Sequence, residues 1–195
     1  MPETELEVRG KDFAGEDLSA ETFERTAFLD CDLSEVRSSG CTWVDCTFTN
    51  CRFNASSHDG AAFTNCSFRR CNFFDATFTG CKLVGSTFDR CEFGLFTVER
   101  GNWSFVSLSG ADLRKAELAG VVLREADLAG AQLQEATLHG VDLSGAWMHG
   151  ADLSGADLRG SDLSAVDPRT TPLAHAVIDA DQAVVLATAL GLVVV

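Results

Sequence analysis

The chain has 195 residues, with 15 Lys and Arg against 29 Asp and Glu, which gives a formal net charge of −14. This acid surplus disfavours nucleic acids and anionic membranes as direct partners, since both select basic surfaces. No apolar run approaches 18 residues and residues 1–5 have no signal-peptide core, so we expect no membrane span, a cytoplasmic location and reduced cysteines.

A repeat of five residues runs through most of the chain. Large apolar residues recur at every fifth position from Phe13 to Leu163, and of these 31 positions only Ser38 and His58 differ. Two residues before most of the large positions the side chain is small, and all eight cysteines stand in such places. A period of five matches neither an α-helix nor an ordinary β-strand.

The period is typical of a chain that turns a corner at every unit. Four corners close a square coil of 20 residues, and stacked coils pair as parallel strands about 4.8 Å apart. The sequence therefore predicts ladders of side chains spaced 20 residues apart, such as Phe28, Phe48, Phe68 and Phe88.

Two places depart from the repeat. Ser38 and His58 fall on one face in neighbouring coils, which predicts a bulge at residues 36–40 and 56–60. Phe96 stands in a normally small place and Phe105 in a normally polar one, which predicts a second irregularity.

The cysteines do not have the spacing of a metal site. They follow a C-x4-C pattern rather than the C-x2-C of zinc knuckles, and successive members fall on different corners. A disulfide between stacked cysteines is disfavoured because in-register side chains run parallel. We interpret the cysteines as small apolar wall residues and expect no metal and no cofactor.

Catalysis is not expected either. The four histidines have no aligned nucleophile, and the carboxylates are spread over all faces instead of being paired in a cleft. The sequence therefore favours a protein that is not an enzyme.

The repeat stops after Ile178. Asp179 and Gln182 form a capping-box pattern that predicts a helix over residues 180–190, and Gly191 stands where the helix should end. The helix is apolar nearly all round, so it needs cover on two sides. We therefore divide the chain into a β-helix (1–178) and a segment for capping and dimerisation (179–195). The expected homodimer contacts are Ile178, Val184, Leu186, Leu190 and Leu192. The alternative is a helix that only caps the last coil.

The pattern A-[DN]-[LF]-x-x, as in Ala151-Asp152-Leu153-Ser154-Gly155, resembles the pentapeptide-repeat family over about residues 8–178. The resemblance implies an all-β fold, a right-handed quadrilateral parallel β-helix of about eight coils with a short C-terminal α-helical cap. The family is associated with fluoroquinolone resistance, DNA mimicry and binding to bacterial DNA gyrase. The unbroken register is similar to that of members without projecting loops.

This resemblance implies a gyrase-binding rod. Eight coils span roughly 38 Å, and duplex DNA of that length carries roughly 22 charges, against 14 here. The residues expected to face the basic groups of gyrase are Glu117, Asp127, Asp142, Asp152, Asp157 and Asp162. The alternative is a structural or adaptor module for another basic protein.

Overall fold

Backbone pairing in the computed structural model, which describes residues 6–195, joins each segment to the one 20 residues further along. The result is a parallel β-solenoid with four faces, each built from five-residue segments. Face 1 comprises residues 6–10 and their repeats to 146–150, and face 2 comprises 11–15 and their repeats to 171–175. Face 3 comprises 16–20 and their repeats to 176–180, and face 4 comprises 21–25 and their repeats to 161–165.

Short strands of three or four residues form parallel sheets on three faces. On face 1 they are β1 (Leu6–Arg9), β3 (Thr26–Leu29), β5 (Thr47–Thr49), β8 (Ser67–Arg69) and β10 (Thr87–Asp89). On face 3 they are β6 (Ser57–Asp59), β9 (Thr77–Thr79), β11 (Thr97–Glu99), β12 (Glu117–Ala119) and β13 (Thr137–His139). On face 4 they are β2 (Thr22–Glu24), β4 (Thr42–Val44) and β7 (Ala62–Thr64).

Isolated bridges extend these sheets along the solenoid. Face 3 keeps its register from Asp17 to Val177 through eight steps, and face 1 keeps its register from Glu7 to Trp147 through seven. The predicted 20-residue coil and the predicted β-solenoid are confirmed.

Stacked rings fill the first half of the interior. The ring centroids of Phe28, Phe48, Phe68 and Phe88 follow one another at 4.9, 4.9 and 4.7 Å, close to the spacing of the strands. Each parallel ring pair contributes about 0.5–1.5 kcal/mol beyond the burial of its area. From Leu108 onward, leucine takes over this role, and the interior becomes aliphatic.

The predicted bulge at residues 36–40 and 56–60 is wrong. Ser38 and His58 are both buried, and Ser38 Oγ lies 2.5 Å from His58 Nδ1. Because the two polar side chains satisfy each other inside the wall, the register continues and Ser38 N donates to Ser57 O at 3.0 Å.

The second predicted irregularity is confirmed. Phe96 is buried in a place that is small elsewhere, whereas Phe105 leaves 55% of its surface exposed. On face 2 the bridge that should join Glu92 to Asp112 is missing, although the bridges of faces 1, 3 and 4 continue past this coil.

Within residues 6–195 one helix, α1 (Ala180–Ala189), covers the end of the last coil, and it is one residue shorter than predicted. The predicted capping box is present, since Gln182 N donates to Asp179 Oδ1 and Asp179 N donates to Gln182 Oε1. Gly191 has a φ of +83°, as a residue after a helix end requires. No helix within residues 6–195 is long and apolar enough to cross a membrane.

Candidate partner-binding surface

The outward aspartates stabilise the corners of the coil, whether or not they also contact a partner. Asp127 Oδ1 accepts from Ala129 N at 3.0 Å, and Asp162 Oδ1 accepts from Ser164 N at 2.8 Å. This short-range bond from an aspartate to a backbone N–H two residues on stabilises a turn. The Asp in the repeat is therefore structural as well as acidic.

The six predicted acidic residues lie on all four faces. Asp127 lies on face 1, Asp152 on face 2, Glu117 and Asp157 on face 3, and Asp142 and Asp162 on face 4. The structure brings one pair together, because Asp142 and Asp162 are bridge partners in successive coils. The other four residues lie on faces 1, 2 and 3 of the second half of the solenoid.

Two of the six have cationic partners. Asp157 Oδ2 lies 2.6 Å from Arg159 Nη2 and 2.7 Å from His139 Nε2, and Asp142 Oδ2 lies 2.5 Å from Arg124 Nε. The hydrogen bond from Arg159 holds the pKa of Asp157 well below its usual range. The other four make no ion pair with any residue from 6 to 195, so their charge remains open to a partner. They are Glu117, Asp127, Asp152 and Asp162.

The acid surplus is uneven around the rod. Face 1 carries four acidic and four basic side chains, so its formal charge cancels. Face 2 carries eight acids and four bases, face 3 seven and three, and face 4 six and three. A basic partner is therefore attracted to faces 2, 3 and 4 rather than to face 1.

The residues predicted for dimerisation separate into two groups. Ile178 and Leu186 are partly buried against the solenoid core, so they hold the helix to the last coil. Val184, Leu190 and Leu192 are exposed, and they belong to a larger apolar patch. We define the C-terminal patch as Val184, Val185, Leu190, Leu192, Val193, Val194 and Val195.

The buried Ser–His cluster has the residue types of a hydrolase active site, but a substrate cannot reach it. Ser56 Oγ donates to Phe53 O at 2.7 Å and lies 3.0 Å from His58 Nε2. Burial lowers the pKa of His58 to about 3, so this imidazole is neutral. With 1% of its surface exposed, it has no route to a substrate. The expectation that no histidine has an aligned hydroxyl is therefore wrong for His58, and the 20-residue separation from Ser38 was the signal in the sequence.

The cysteines line the wall as small residues. All but Cys91 are buried, and Cys66 Sγ donates to Trp43 O at 3.4 Å in a pattern that other members repeat. Burial raises the pKa of Cys41 to about 12 and of Cys81 to about 11. Within residues 6–195, no three His, Cys, Asp or Glu side chains converge as a metal site.

Comparisons with known proteins agree with this architecture. A family model for a pentapeptide repeat region matches residues 71–148, and a model for eight copies of the pentapeptide repeat matches residues 138–167. No curated protein matches the chain in sequence.

Two solved structures share the fold over nearly the whole chain. Both are trypsin-treated variants of QnrB1, a plasmid-mediated fluoroquinolone resistance protein. The first has 23% identity and a TM-score of 0.75, and the second 25% identity and a TM-score of 0.55. Each alignment covers 97% of this chain and 98% of the other.

Proposed function

This chain is a pentapeptide-repeat protein, and from that premise we propose that it binds bacterial DNA gyrase as a mimic of duplex DNA. Binding would modulate or inhibit supercoiling and protect the enzyme from fluoroquinolones. The protein would act by occupying a basic surface, with no bond made or broken, rather than as an enzyme.

The observation that carries the proposal is an acidic rod of regular rise. Eight register steps on face 3 give a length of roughly 38 Å at the usual strand spacing. Duplex DNA of this length carries roughly 22 charges, and the chain has a net charge of −14. A groove that accepts DNA by its charge would meet a comparable charge density here.

The distribution of charge supports one orientation. Face 1 is balanced and faces 2 to 4 are acidic, so the rod would present these three faces to gyrase. The fold of QnrB1, a fluoroquinolone resistance protein, supports the same class of function.

We further propose that two copies meet through the C-terminal patch. Val193 exposes 87% of its surface, and the other six residues of the patch are exposed apolar side chains as well. An exposed apolar cluster of this kind is typical of an interface. Two rods joined end to end would span roughly 75–80 Å.

The dimer is tested by Val184→Asp together with Leu190→Asp. Both side chains are exposed, so the fold should hold while the proposed interface gains buried charge. Light scattering on a sizing column should show a monomer for the variant and a dimer for the parent. Leu186→Asp is unsuitable because Leu186 packs against the solenoid core. A parent that elutes as a monomer would contradict the dimer alone.

Supercoiling by purified gyrase, with and without a fluoroquinolone, tests the function. The informative variant combines Glu117→Gln, Asp127→Asn, Asp152→Asn and Asp162→Asn. Asn retains the acceptor oxygen that fixes each turn, so charge is removed and the corner bond is kept. The matched control removes four charges near the other end, by Glu16→Gln, Glu21→Gln, Glu24→Gln and Asp45→Asn.

The parent and the control variant should change supercoiling at similar concentrations, whereas the informative variant should need several-fold more protein. Each lost charge contact removes a screened interaction of up to about 1 kcal/mol. No effect of the parent at any ratio to gyrase would overturn the proposal. An equal loss in both variants would show that total charge, not its position, governs binding.

A further inference from the structure

Face 2 is opened at one place along the solenoid. Between residues 91–95 and 111–115, three backbone hydrogen bonds are missing. The same three bonds join every neighbouring pair of face-2 segments from 11–15 to 91–95, and again from 111–115 to 151–155. Among residues 6–195, the gap leaves the N–H groups of Phe93, Leu95 and Asp112 without backbone acceptors, and the carbonyls of Cys91, Asp112 and Arg114 without backbone donors.

The cause lies in the side chains of this coil. Phe96 places a ring where the equivalent corners of the adjacent coils hold Ala76 and Ala116, and its centroid lies 5.1 Å from that of Phe93. At Gly94 an added Cβ would lie 2.8 Å from the ring of Phe74, so only glycine lets that ring cover the backbone. The interior also changes here from stacked rings to leucines.

The opening forms a cleft of about 650 Å³ on face 2. Its lining includes three acids, Glu92, Asp112 and Glu135, and two bases, Arg114 and Lys115. Arg114 is held by Asp112 through two hydrogen bonds of 2.8 and 2.6 Å, and Lys115 Nζ lies 3.5 Å from Glu135 Oε2.

Both bases are thus paired with acids, and one carboxylate has no cation. Glu92 Oε2 accepts from Asn72 Nδ2 at 2.6 Å and makes no ion pair with any residue from 6 to 195. Gln134, another lining residue, has a buried Oε1 atom with no hydrogen-bond partner within the same part of the chain. The cleft therefore offers one carboxylate, that of Glu92, which has no cationic partner within residues 6–195.

We propose that this cleft binds an extended peptide segment of a partner protein, carrying a basic side chain, which adds a strand to the interrupted ladder. Unpaired N–H and C=O groups along a backbone are the template on which a strand adds. A ligand with only donors or only acceptors would satisfy one half of the six groups, whereas a peptide backbone supplies both. A Lys or Arg side chain on the segment complements Glu92.

The proposal is independent of gyrase and is tested without it. The probe is a capped pentapeptide, Thr-Val-Lys-Val-Thr, titrated to millimolar concentration into the isotopically labelled full chain and followed by amide NMR. The matched ligands are the same peptide with alternate nitrogens methylated, which removes donors, and Thr-Val-Glu-Val-Thr, which reverses the charge.

The amide signals of Phe93, Leu95 and Asp112 should shift and their hydrogen exchange should slow, while Phe73, Asp75 and Asn72 in the intact part of face 2 should not change. Methylation should weaken binding by at least roughly tenfold, the effect of about one hydrogen bond. In Glu92→Lys, whose side chain is exposed, the preference should reverse toward the Glu peptide.

A second variant, Phe96→Ala, places in this corner the residue found at the equivalent corners of the adjacent coils. The ladder should then close, so Phe93, Leu95 and Asp112 should exchange as slowly as their face-2 equivalents and the peptide should no longer shift them. Absence of any shift in the parent with both the Lys and the Glu peptide would overturn the proposal. Equal binding of the methylated peptide would overturn it as well.

Discussion

Ser38 and His58 face each other across successive coils in the interior, with Ser38 Oγ 2.5 Å from His58 Nδ1. Since the Ser56 hydroxyl donates to Phe53 O, His58 Nε2–H donates to Ser56 Oγ, and Nδ1 accepts from Ser38. A neutral imidazole satisfies all of these bonds. A protonated one would place an unpaired charge inside the wall.

This cluster makes stability depend on pH. The pKa of His58 falls from its ordinary 6.5 to about 3 because of burial. Below pH 6.5 the unfolded chain binds a proton that the folded chain does not. The free energy of unfolding therefore decreases as the pH is lowered. The slope approaches about 1.4 kcal/mol per pH unit at its limit.

The measurement is urea unfolding between pH 5 and pH 6.5, a window above the titration of most carboxylates. The double variant His58→Phe, Ser38→Ala removes the titrating group and leaves every other one in place. Its free energy of unfolding should vary less with pH than that of the parent. Parallel curves would show that His58 has an ordinary pKa in the folded chain.

Gly101 should be the glycine least tolerant of substitution. Its φ is +99°, and an added Cβ would lie 2.2 Å from Cys81 O. We expect Gly101→Ala to cost about 3 kcal/mol or more, from backbone strain and overpacking together. Gly110→Ala is the control, because Gly110 has a φ of +66° with open space beside it, and left-handed strain alone costs about 1 kcal/mol. Equal urea midpoints for the two variants would contradict the close approach.

Gln182 should hold the terminal helix to the solenoid. Its Nε2 donates to Leu158 O at 2.6 Å and to Ser161 O at 2.8 Å. Gln182→Ala removes both bonds. Ser161 O loses its donor, at about 1–3 kcal/mol, while Leu158 O keeps the bond from Ser161 N. Amides of residues 180–189 should then exchange faster, while those of β8 are unchanged. Asp181→Asn, an exposed change in the same turn, should leave exchange as it is in the parent, and a similar profile for both variants would rule out this anchor.

Thiol labelling should distinguish one cysteine from seven. Cys91 is partly exposed and the others are buried. In the native protein a maleimide should modify at most one thiol, and in strong denaturant all eight. Cys91→Ala should reduce the native value to none, since thiols in the wall meet no reagent. Rapid labelling of several cysteines in the folded state would contradict the closed wall.

The fold could be predicted from the repeat because the same pattern of residue types recurs in every coil. A large residue such as Phe48 points inward at each fifth position, and its neighbours 20 residues away are of the same kind. The period thus predicted the fold and the ladders, and the capping-box pattern of Asp179 and Gln182 predicted the helix start. These features depend on local spacing.

The departures depend on contacts between coils. Ser38 and His58 each break the apolar rule, and only their mutual hydrogen bond explains why no bulge forms. Phe96 was visible as an irregularity, but the cleft arises from its ring together with Gly94 and the change of core packing. The inward direction of Leu186 likewise depends on how the helix docks, which its apolar composition did not specify.

The most direct test of the central proposal is competition between this protein and duplex DNA for gyrase. A fluorescent duplex bound to gyrase at fixed salt is titrated with the unlabelled protein, and the anisotropy is followed. The proposal predicts full displacement that weakens as salt increases, because both ligands bind through charge. Unchanged anisotropy at a large excess of the protein would contradict DNA mimicry and favour an adaptor for another basic partner.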